Sequence, residues 1–382
     1  MEHTKRKQVD EEDIALAHRY RLSLTAAPRQ SSFRVVAVVF YELLGEEENK
    51  RHHVVGTNDE PCYINGSICA ERAALVQLRF LPLKRITKVV ITTDAMHPIF
   101  PGMLCREFMI SHLYIEPETL PIITAGSLCK RRDCGLDIGT CAGANACDMD
   151  KLMNGCTSTR TGKSFHDWES VRTSLPQLYP HPSPYTRLDA SEAAKLGKLI
   201  SMSLTEDNTS ILLNETSDLL KEAKMLILEA TKAAQIGNDR SELHPIQYGA
   251  AVLFDDGSID TACQRKSLEY GCSLDAVTQL VVFIEKKNRG DGNSSAFSRP
   301  KILVQCDQFG VIHTPFATAR AYLSEFHYED CQVLVQKVIQ DSNSSNGVSF
   351  DDDVAPKIQK MMSVSVKDIS PSAPRMGDLW KE

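Results

Sequence analysis

Long apolar segments and an excess of basic charge are both missing from this sequence of 382 residues. No run of eighteen apolar residues occurs, so we expect no helix that crosses a membrane. The formal net charge at pH 7 is −7, whereas a surface that binds nucleic acid usually needs a basic face. The first ten residues are mostly charged or polar, so we expect no secretory signal. These absences disfavour membrane proteins, nucleic-acid-binding proteins and secreted proteins.

The remaining composition is that of an ordinary globular protein. Apolar residues make up 42% of the chain and charged residues 24%. A chain of this length exceeds one average domain, so we expect two domains. The chain has twelve cysteines and no expected secretory signal, so we expect reduced thiols in a cytoplasmic protein, some of them on a metal ion.

Two of the cysteines stand at the start of segments with helical character. Cys69 and Glu71 open one apolar run, and Cys105 opens another shortly after Pro101. Residues 86–93 between them are rich in β-branched side chains and predict a strand. A helix N-terminus carries partial positive charge, which favours thiolates, so two such helix starts can hold one metal ion together.

These residues resemble the motifs of a known family. Cys69-Ala-Glu71, followed by Pro101 and Cys105, is similar to the zinc-dependent nucleobase deaminases, which carry His/Cys-Ala-Glu and then Pro-Cys-x-x-Cys. The form Cys-Ala-Glu-Arg resembles the cytidine deaminases in particular. The second motif departs from the family pattern, because Gly102 stands where its first cysteine is expected.

The resemblance covers residues 10–125 and implies roles for the matching positions. Zn²⁺ would be bound by Cys69 and Cys105, with Glu71 as the catalytic proton shuttle and not a ligand. Arg72 and Arg106 would offset the thiolate charge. The implied substrate-binding residues are Phe33 near the pyrimidine, Asn58 and Glu60 on the ribose hydroxyls, and Ala70 through its backbone at the pyrimidine edge. The implied reaction is hydrolytic deamination of cytidine or deoxycytidine to uridine or deoxyuridine, a step of pyrimidine salvage.

A catalytic zinc ion usually has three protein ligands and a water, whereas the motif supplies two thiols. The candidates for a third ligand are Cys62, Asp94, His97 and a cysteine from residues 129–156. Each of these side chains, taken alone, is more often an ordinary loop residue than a ligand. The sequence leaves the third ligand open.

The carboxyl half of the chain resembles a second copy that has lost its chemical groups. In the resemblance, Asp275 stands at the first ligand position and Val277 at the catalytic glutamate. The two cysteine positions of the second motif hold Phe316 and Ala319. The framework residues that remain are Ala276, Pro315 and Arg320. Such a copy cannot activate water, so we expect it to be structural.

The resemblance implies an α/β fold of three α-β-α layers and two tandem deaminase-fold domains. We place the first at residues 10–127 and the degenerate second at 189–337. Between them, residues 128–188 form a Cys-rich and Pro-rich insertion, and the four spacings between its five cysteines match no zinc template. Residues 338–382 are rich in Ser, Asn and Asp and predict a mostly flexible tail.

Three functions compete. The first is a zinc-dependent deaminase of free nucleosides with an altered ligand set, favoured by the intact Cys69-Ala-Glu71. The second is an inactive deaminase-fold protein that binds a nucleoside or a partner, favoured by Gly102. The third, a polynucleotide-editing deaminase, is disfavoured by the acidic balance of the chain. The resemblance to tandem-domain cytidine deaminases also implies a homodimer.

Overall fold

The chain folds into two compact units. The computed structural model describes residues 2–47, 50–127, 168–203, 217–237, 240–289, 297–339 and 357–373. The first unit comprises Met1–Leu178 and Ser372–Glu382, and the second comprises Tyr179–Pro371. Within the described ranges, no helix has both the length and the apolar character needed to cross a membrane.

The first unit is built on a five-stranded sheet with the order β2-β1-β3-β4-β5. Its strands are β1 (Val35–Leu43), β2 (His52–Thr57), β3 (Leu83–Thr93), β4 (Ile122–Ala125) and β5 (Ser170–Thr173). Its helices are α1 (Glu2–Ser23), α2 (Ala70–Gln77), α3 (Met103–Ile110) and α4 (Leu175–Leu178). The β3–β4 pair is parallel and the other three pairs are antiparallel.

Helices cover both faces of this sheet. Val36 of β1 packs with Ile14 of α1 in one buried cluster. The next residue, Ala37, points to the opposite face and is paired with Gly56 of β2. A Cβ atom at Gly56 would lie 2.1 Å from the carbonyl oxygen of Ala70, so β2 and α2 are in close contact there. This contact fixes the start of α2 against the sheet.

The second unit is built on a sheet with the order β11-β10-β8-β6-β7, with β9 paired to β8. Its strands are β6 (Tyr248–Phe254), β7 (Ile259–Cys263), β8 (Pro300–Asp307), β9 (Ile312–His313), β10 (Gln332–Ile339) and β11 (Lys357–Ser365). Its helices are α5 (Ala190–Ser203), α6 (Ser217–Ile236), α7 (Ala276–Arg289), α8 (Ala317–Glu325) and α9 (Val366–Ile369).

The second sheet is also a middle layer. Ala251 packs with Leu226 of α6 on one face, and Ala250 packs with Leu280 of α7 on the other. Read from β7 to β11, its strands repeat the first sheet's order, with one parallel pair, β8–β10, among antiparallel pairs. The expected α/β fold of three layers is therefore confirmed in both units.

The prediction of a mostly flexible tail at residues 338–382 is wrong for the part that the structure describes. Lys357–Ser365 pairs with β10 as an edge strand, and Val366–Ile369 forms a helix. Met361 and Ile369 are buried in this segment. The sequence obscured the strand, because its apolar side chains alternate with lysine, glutamine and serine in a polar region.

The insertion predicted at residues 128–188 also needs correction at its end. Ser170–Thr173 pairs with β4 and completes the first sheet. Residues 128–167, which include the cysteines at 129–156, lie outside the described residues. A strand of four residues in which polar side chains alternate with Val171 carries too little periodic signal to be recognised in a sequence.

A completely buried arginine lies near the start of one helix in the first unit. The Arg106 side chain donates hydrogen bonds to the carbonyl oxygens of Pro101 at 2.6 Å, Leu178 at 2.7 Å and Ser372 at 2.7 Å. A buried guanidinium is costly unless it is hydrogen-bonded, and these contacts join two distant segments and the loop before α3 to this helix. Arg106 therefore holds the backbone around the helix start.

Arg320 has the same arrangement in the second unit. It is completely buried and donates to the carbonyl oxygens of Pro315 at 2.7 Å, Ile369 at 2.8 Å and Pro180 at 2.9 Å. Its guanidinium carbon lies 3.8 Å from the ring centroid of Tyr179. Arg320 thus has a structural role in the second unit, like that of Arg106 in the first.

We predict that Arg320→Leu destabilises the second unit. Four carbonyls, including that of His181, lose their donors, and each buried one costs about 1–3 kcal/mol, so the free energy of unfolding should fall by roughly 3 kcal/mol or more. Urea denaturation followed by circular dichroism measures this change. The exposed Arg299 provides the control, and Arg299→Leu should stay within about 0.5 kcal/mol of the parent chain. An equally small effect of Arg320→Leu would contradict the structural role.

Candidate metal and nucleoside site

Two helix starts define the candidate site. Cys69 is the N-cap residue of α2, without a capping hydrogen bond from its thiol, and Gly102 is the N-cap residue of α3. Asp59 and Ile68 exchange two backbone hydrogen bonds of 3.0 Å, which set the loop from β2 beside the start of α2. The segment that holds Asn58 and Glu60 is thereby attached next to Cys69.

Three chemical groups meet at these helix starts. The ligand atoms of Cys69, Glu71 and Cys105 all lie within 4.8 Å of one another. The Cys105 thiol donates to a carboxylate oxygen of Glu71 at 3.5 Å. Cys105 is completely buried and Glu71 is 4% exposed, whereas Cys69 is half-buried and can be reached from solvent. The structure therefore brings together the two predicted ligands and the predicted proton shuttle.

The environment shifts the pKa values of the three groups in different directions. A hydrogen bond from Cys105 lowers the pKa of Cys69 to about 7. The same hydrogen bond, together with burial, raises the pKa of Cys105. Burial raises the pKa of Glu71, so this carboxyl can hold a proton nearer to neutral pH than an exposed glutamate can. The site offers one readily formed thiolate beside a carboxyl suited to proton transfer.

The two arginines of the motifs differ in their roles. A guanidinium nitrogen of Arg72 lies 3.9 Å from the Cys69 sulfur and 3.4 Å from the Ser67 carbonyl oxygen, as expected for a cation that offsets thiolate charge. The Arg106 side chain instead donates to backbone carbonyls, although its charge still lowers the pKa of Glu71. The expected contact of Arg106 with thiolate charge is replaced by a structural one.

The space beside Gly102, where the family pattern has a cysteine, is open. A Cβ atom built at Gly102 meets no atom within 4 Å beyond its chain neighbours. A thiol or an added ligand would therefore fit at this position without displacing the surrounding chain. Among the described residues, the group of close donors contains only Cys69, Glu71 and Cys105.

The candidates for a third ligand occupy different surroundings. Cys62 is exposed. Asp94 forms ion pairs with Arg34 at 3.0 Å and with Arg21, so its carboxylate is already occupied. The Nε2 atom of His97 is buried and has no hydrogen-bond partner among the described residues. None of the three joins the donor group, and the cysteines at 129–156 lie outside the described residues.

The role of Asp94 was not recognised from the sequence. Arg21 lies 73 residues before it in α1, and Arg34 lies 60 residues before it at the start of β1. No local pattern links residues so far apart, and only the closure of the sheet brings them together. Their ion pairs hold the turn that follows β3, from which the chain continues to Gly102.

The implied sugar-binding residues are close in the fold and occupied by the chain's own groups. Asn58 donates to the carbonyl oxygen of Phe33 and accepts from the backbone of Val35, both at 2.8 Å. Glu60 accepts from the backbone and the hydroxyl of Ser31, both at 2.7 Å. Phe33, Asn58 and Glu60 therefore lie around one segment, while Ala70, which is completely buried, begins α2.

The donor set fits zinc. Zn²⁺ takes thiolate and carboxylate ligands in tetrahedral geometry, and catalytic sites use three protein donors and an open position. Two thiols beside a carboxyl match this ligand chemistry and supply two of the three protein donors, and the free volume at Gly102 leaves room for a further one. Cys69 and Cys105 would hold the ion, and Glu71 would lie within reach of it.

The corresponding positions of the second unit carry no such donor group. Asp275 accepts hydrogen bonds from the backbone of Thr278, at 2.8 Å, and from its hydroxyl, so it caps α7. Tyr248 contacts Phe316 and His313 edge-on, with ring centroids 4.9 Å and 5.1 Å apart. Helix capping and aromatic packing replace the thiols there.

Comparisons with known proteins give a consistent but weak likeness. No family model matches the chain, and no curated protein matches it. A solved cytidine deaminase from Burkholderia pseudomallei is 20% identical, with a TM-score of 0.28, over 44% of this chain and 93% of that one. A cytidine deaminase from Mycobacterium tuberculosis is 22% identical, with a TM-score of 0.26, over 40% of this chain and 96% of that one. Likenesses of this size do not establish an activity.

We predict that Cys69 reacts as a thiolate at unusually low pH in metal-free protein. Its alkylation by iodoacetamide should be fast above a midpoint near pH 7 and slow below it, because its pKa is lowered to about 7. Mass spectrometry of Cys69 peptides across pH measures the midpoint. Exposed Cys272 is the control, because nearby Glu269 raises its pKa. A Cys69 midpoint at or above that of Cys272 would contradict the shift.

Proposed function

We propose that the first unit catalyses zinc-dependent hydrolytic deamination of cytidine or deoxycytidine to uridine or deoxyuridine. The observation that carries this proposal is the meeting of Cys69, Glu71 and Cys105 at two helix starts. Hydrolytic removal of an amine from a pyrimidine needs an activated water and a proton carrier. Two thiols can hold the metal ion that activates the water, and the buried carboxyl beside them can carry the proton.

Zinc, when bound, lowers the pKa of a water to about 7. Glu71 moves the protons: it takes the two protons of the attacking water in turn and delivers one to N3 of the pyrimidine and the other to the departing amine. Its raised pKa suits both directions of transfer near neutral pH. Arg72 stabilises the thiolate of Cys69, and the buried position of Cys105 excludes bulk water from the inner side of the site.

The substrate is held by the loop that precedes α2. Asn58 and Glu60 bind the ribose hydroxyls by exchanging their present hydrogen bonds to the backbone of residues 31–35, with Phe33 near the pyrimidine. The backbone at Ala70 contacts the pyrimidine edge. A sugar-binding carboxylate favours a nucleoside over a free base. The proposal includes a cytoplasmic homodimer that acts in pyrimidine salvage.

A second candidate is an inactive protein that keeps the deaminase fold and binds a nucleoside or a partner. Gly102 favours it, because that position supplies no metal ligand. The burial of Glu71 beside two thiols favours the enzyme, because a carboxyl in such a place is costly without a chemical use. The choice between the candidates depends on whether the site holds zinc.

We predict that Glu71→Gln abolishes turnover without emptying the metal site. The amide retains the shape of the side chain but cannot carry protons, so kcat with cytidine should fall by roughly 10²-fold or more. Loss of absorbance on deamination measures the rate, and elemental analysis measures zinc in the same sample.

The exposed Glu118 supplies the matched control, and Glu118→Gln should retain full activity. Wild-type turnover by Glu71→Gln would exclude the proposed role of Glu71. Zinc-loaded wild-type protein that deaminates neither cytidine nor deoxycytidine would favour the binding protein.

A further inference from the structure

A hydrogen-bonded chain of three side chains lies in the second unit. The hydroxyl of Ser183 lies 2.9 Å from Nδ1 of His313. Nε2 of His313 lies 3.4 Å from a carboxylate oxygen of Asp307. His313 and Asp307 are completely buried, whereas Ser183 is half-buried on a loop. The half-buried Ser183 is thus linked to the buried carboxylate of Asp307 through the imidazole of His313.

The hydrogen bonds define the direction of the chain. Asp307 accepts from the backbone of Phe309 at 2.8 Å and of Val311 at 3.0 Å, and also from the Tyr185 hydroxyl. These donors hold the carboxylate in place. It accepts from an Nε2–H group of His313, which leaves Nδ1 as the acceptor for the Ser183 hydroxyl. In this arrangement, Nδ1 of His313 can take the hydroxyl proton of Ser183 when the serine oxygen attacks a substrate.

The imidazole also has a fixed orientation. The ring of Tyr185 contacts His313 edge-on, with centroids 4.6 Å apart, and Tyr248 does the same at 5.1 Å. The strand β9 that carries His313 pairs with β8, which ends at Asp307. The sheet therefore positions His313 and Asp307, whereas Ser183 lies on a loop.

An unused donor lies beside this chain. Gln305 pairs with His313 across β8 and β9, so both side chains project from the same face of the sheet. Gln305 is completely buried, yet neither its amide nitrogen nor its amide oxygen has a hydrogen-bond partner among the described residues. An unpaired buried amide needs an explanation, and a glutamine amide can stabilise a developing oxyanion.

The loop that carries Ser183 has an unusual backbone. His181 and Arg187, on either side of it, have positive φ angles of 50° and 76°. Residues other than glycine rarely adopt this conformation, so the backbone is strained at both sites. The Ser183 hydroxyl also accepts from the backbone of Tyr185 at 3.2 Å, which directs its own proton toward His313. The loop thus presents the serine in one orientation.

We infer that Ser183 is the nucleophile of an acyl-transfer site in the second unit, with His313 as its base, Asp307 as the positioning carboxylate and Gln305 as an oxyanion donor. The substrate class is a small ester. Ser183 Oγ bonds to the carbonyl carbon while its proton passes to Nδ1 of His313. The ester C–O bond breaks, and the departing alcohol takes that proton. Water then repeats the transfer and releases the acid.

This activity is independent of the proposed deamination, because all four residues lie in the second unit. A fluorophosphonate probe tests it in the full chain: the serine oxygen bonds to phosphorus and fluoride leaves. Wild-type protein should gain one phosphonyl group at Ser183, located by peptide mass spectrometry. Ser183→Ala should gain none, whereas Ser191→Ala, which alters an exposed serine of α5, should react like wild type.

The base is tested in the same assay. His313→Gln should be labelled roughly 10²-fold more slowly, since a general base contributes about that factor or more. Because His313 is buried, its variant is compared only where circular dichroism shows a native fold, and the Ser183→Ala comparison stands without it. An unlabelled wild type, or equal labelling of wild type and Ser183→Ala, would overturn the inference. The rate of p-nitrophenyl acetate hydrolysis should fall in the same order as the labelling, from wild type to His313→Gln to Ser183→Ala.

Discussion

The burial of Glu71 against two thiols is the constraint on which the first unit depends. Three groups that can each carry negative charge lie within 4.8 Å of one another. If two of them were ionised, their repulsion would be about 3 kcal/mol or more at the effective dielectric of a protein site. Arg72 offsets this charge at Cys69, and the surroundings raise the pKa of Glu71 and of Cys105, so both groups ionise less readily. A divalent cation would relieve all three at once, which gives the arrangement a chemical purpose.

The close contact of β2 with α2 makes that arrangement possible. Gly56 lets the strand approach the first residue of the helix, and the bridge between Asp59 and Ile68 holds the incoming loop. Arg106 holds the second helix start by contacts with three separate carbonyls. The second unit retains its arginine, Arg320, with equivalent bonds, but lacks the donors. The same arginine arrangement therefore occurs in both units, whereas the close group of two thiols and a carboxyl is found, among the described residues, in the first.

The motif residues and the layered fold could be predicted because their signals are local. Cys69, Glu71 and Cys105 are recognised by spacing, and their contact follows from two helices that begin at the same side of one sheet. The partners of Asp94 could not be predicted, because Arg21 comes from a helix 73 residues away. The strand β11 was missed because lysine and serine interrupt its apolar residues. The chain from Ser183 to Asp307 combines a loop and two strands with no sequence pattern in common.

Zinc content of purified protein tests the central claim most directly. Wild-type protein and Cys69→Ala, prepared together, should differ by one zinc ion per chain in elemental analysis, and any zinc on other cysteines cancels in the difference. Gly102→Cys, which adds a thiol where the structure has room, should retain zinc at chelator concentrations that strip wild type. Equal zinc in wild type and Cys69→Ala would contradict the account, because the three groups would then have no metal to bind.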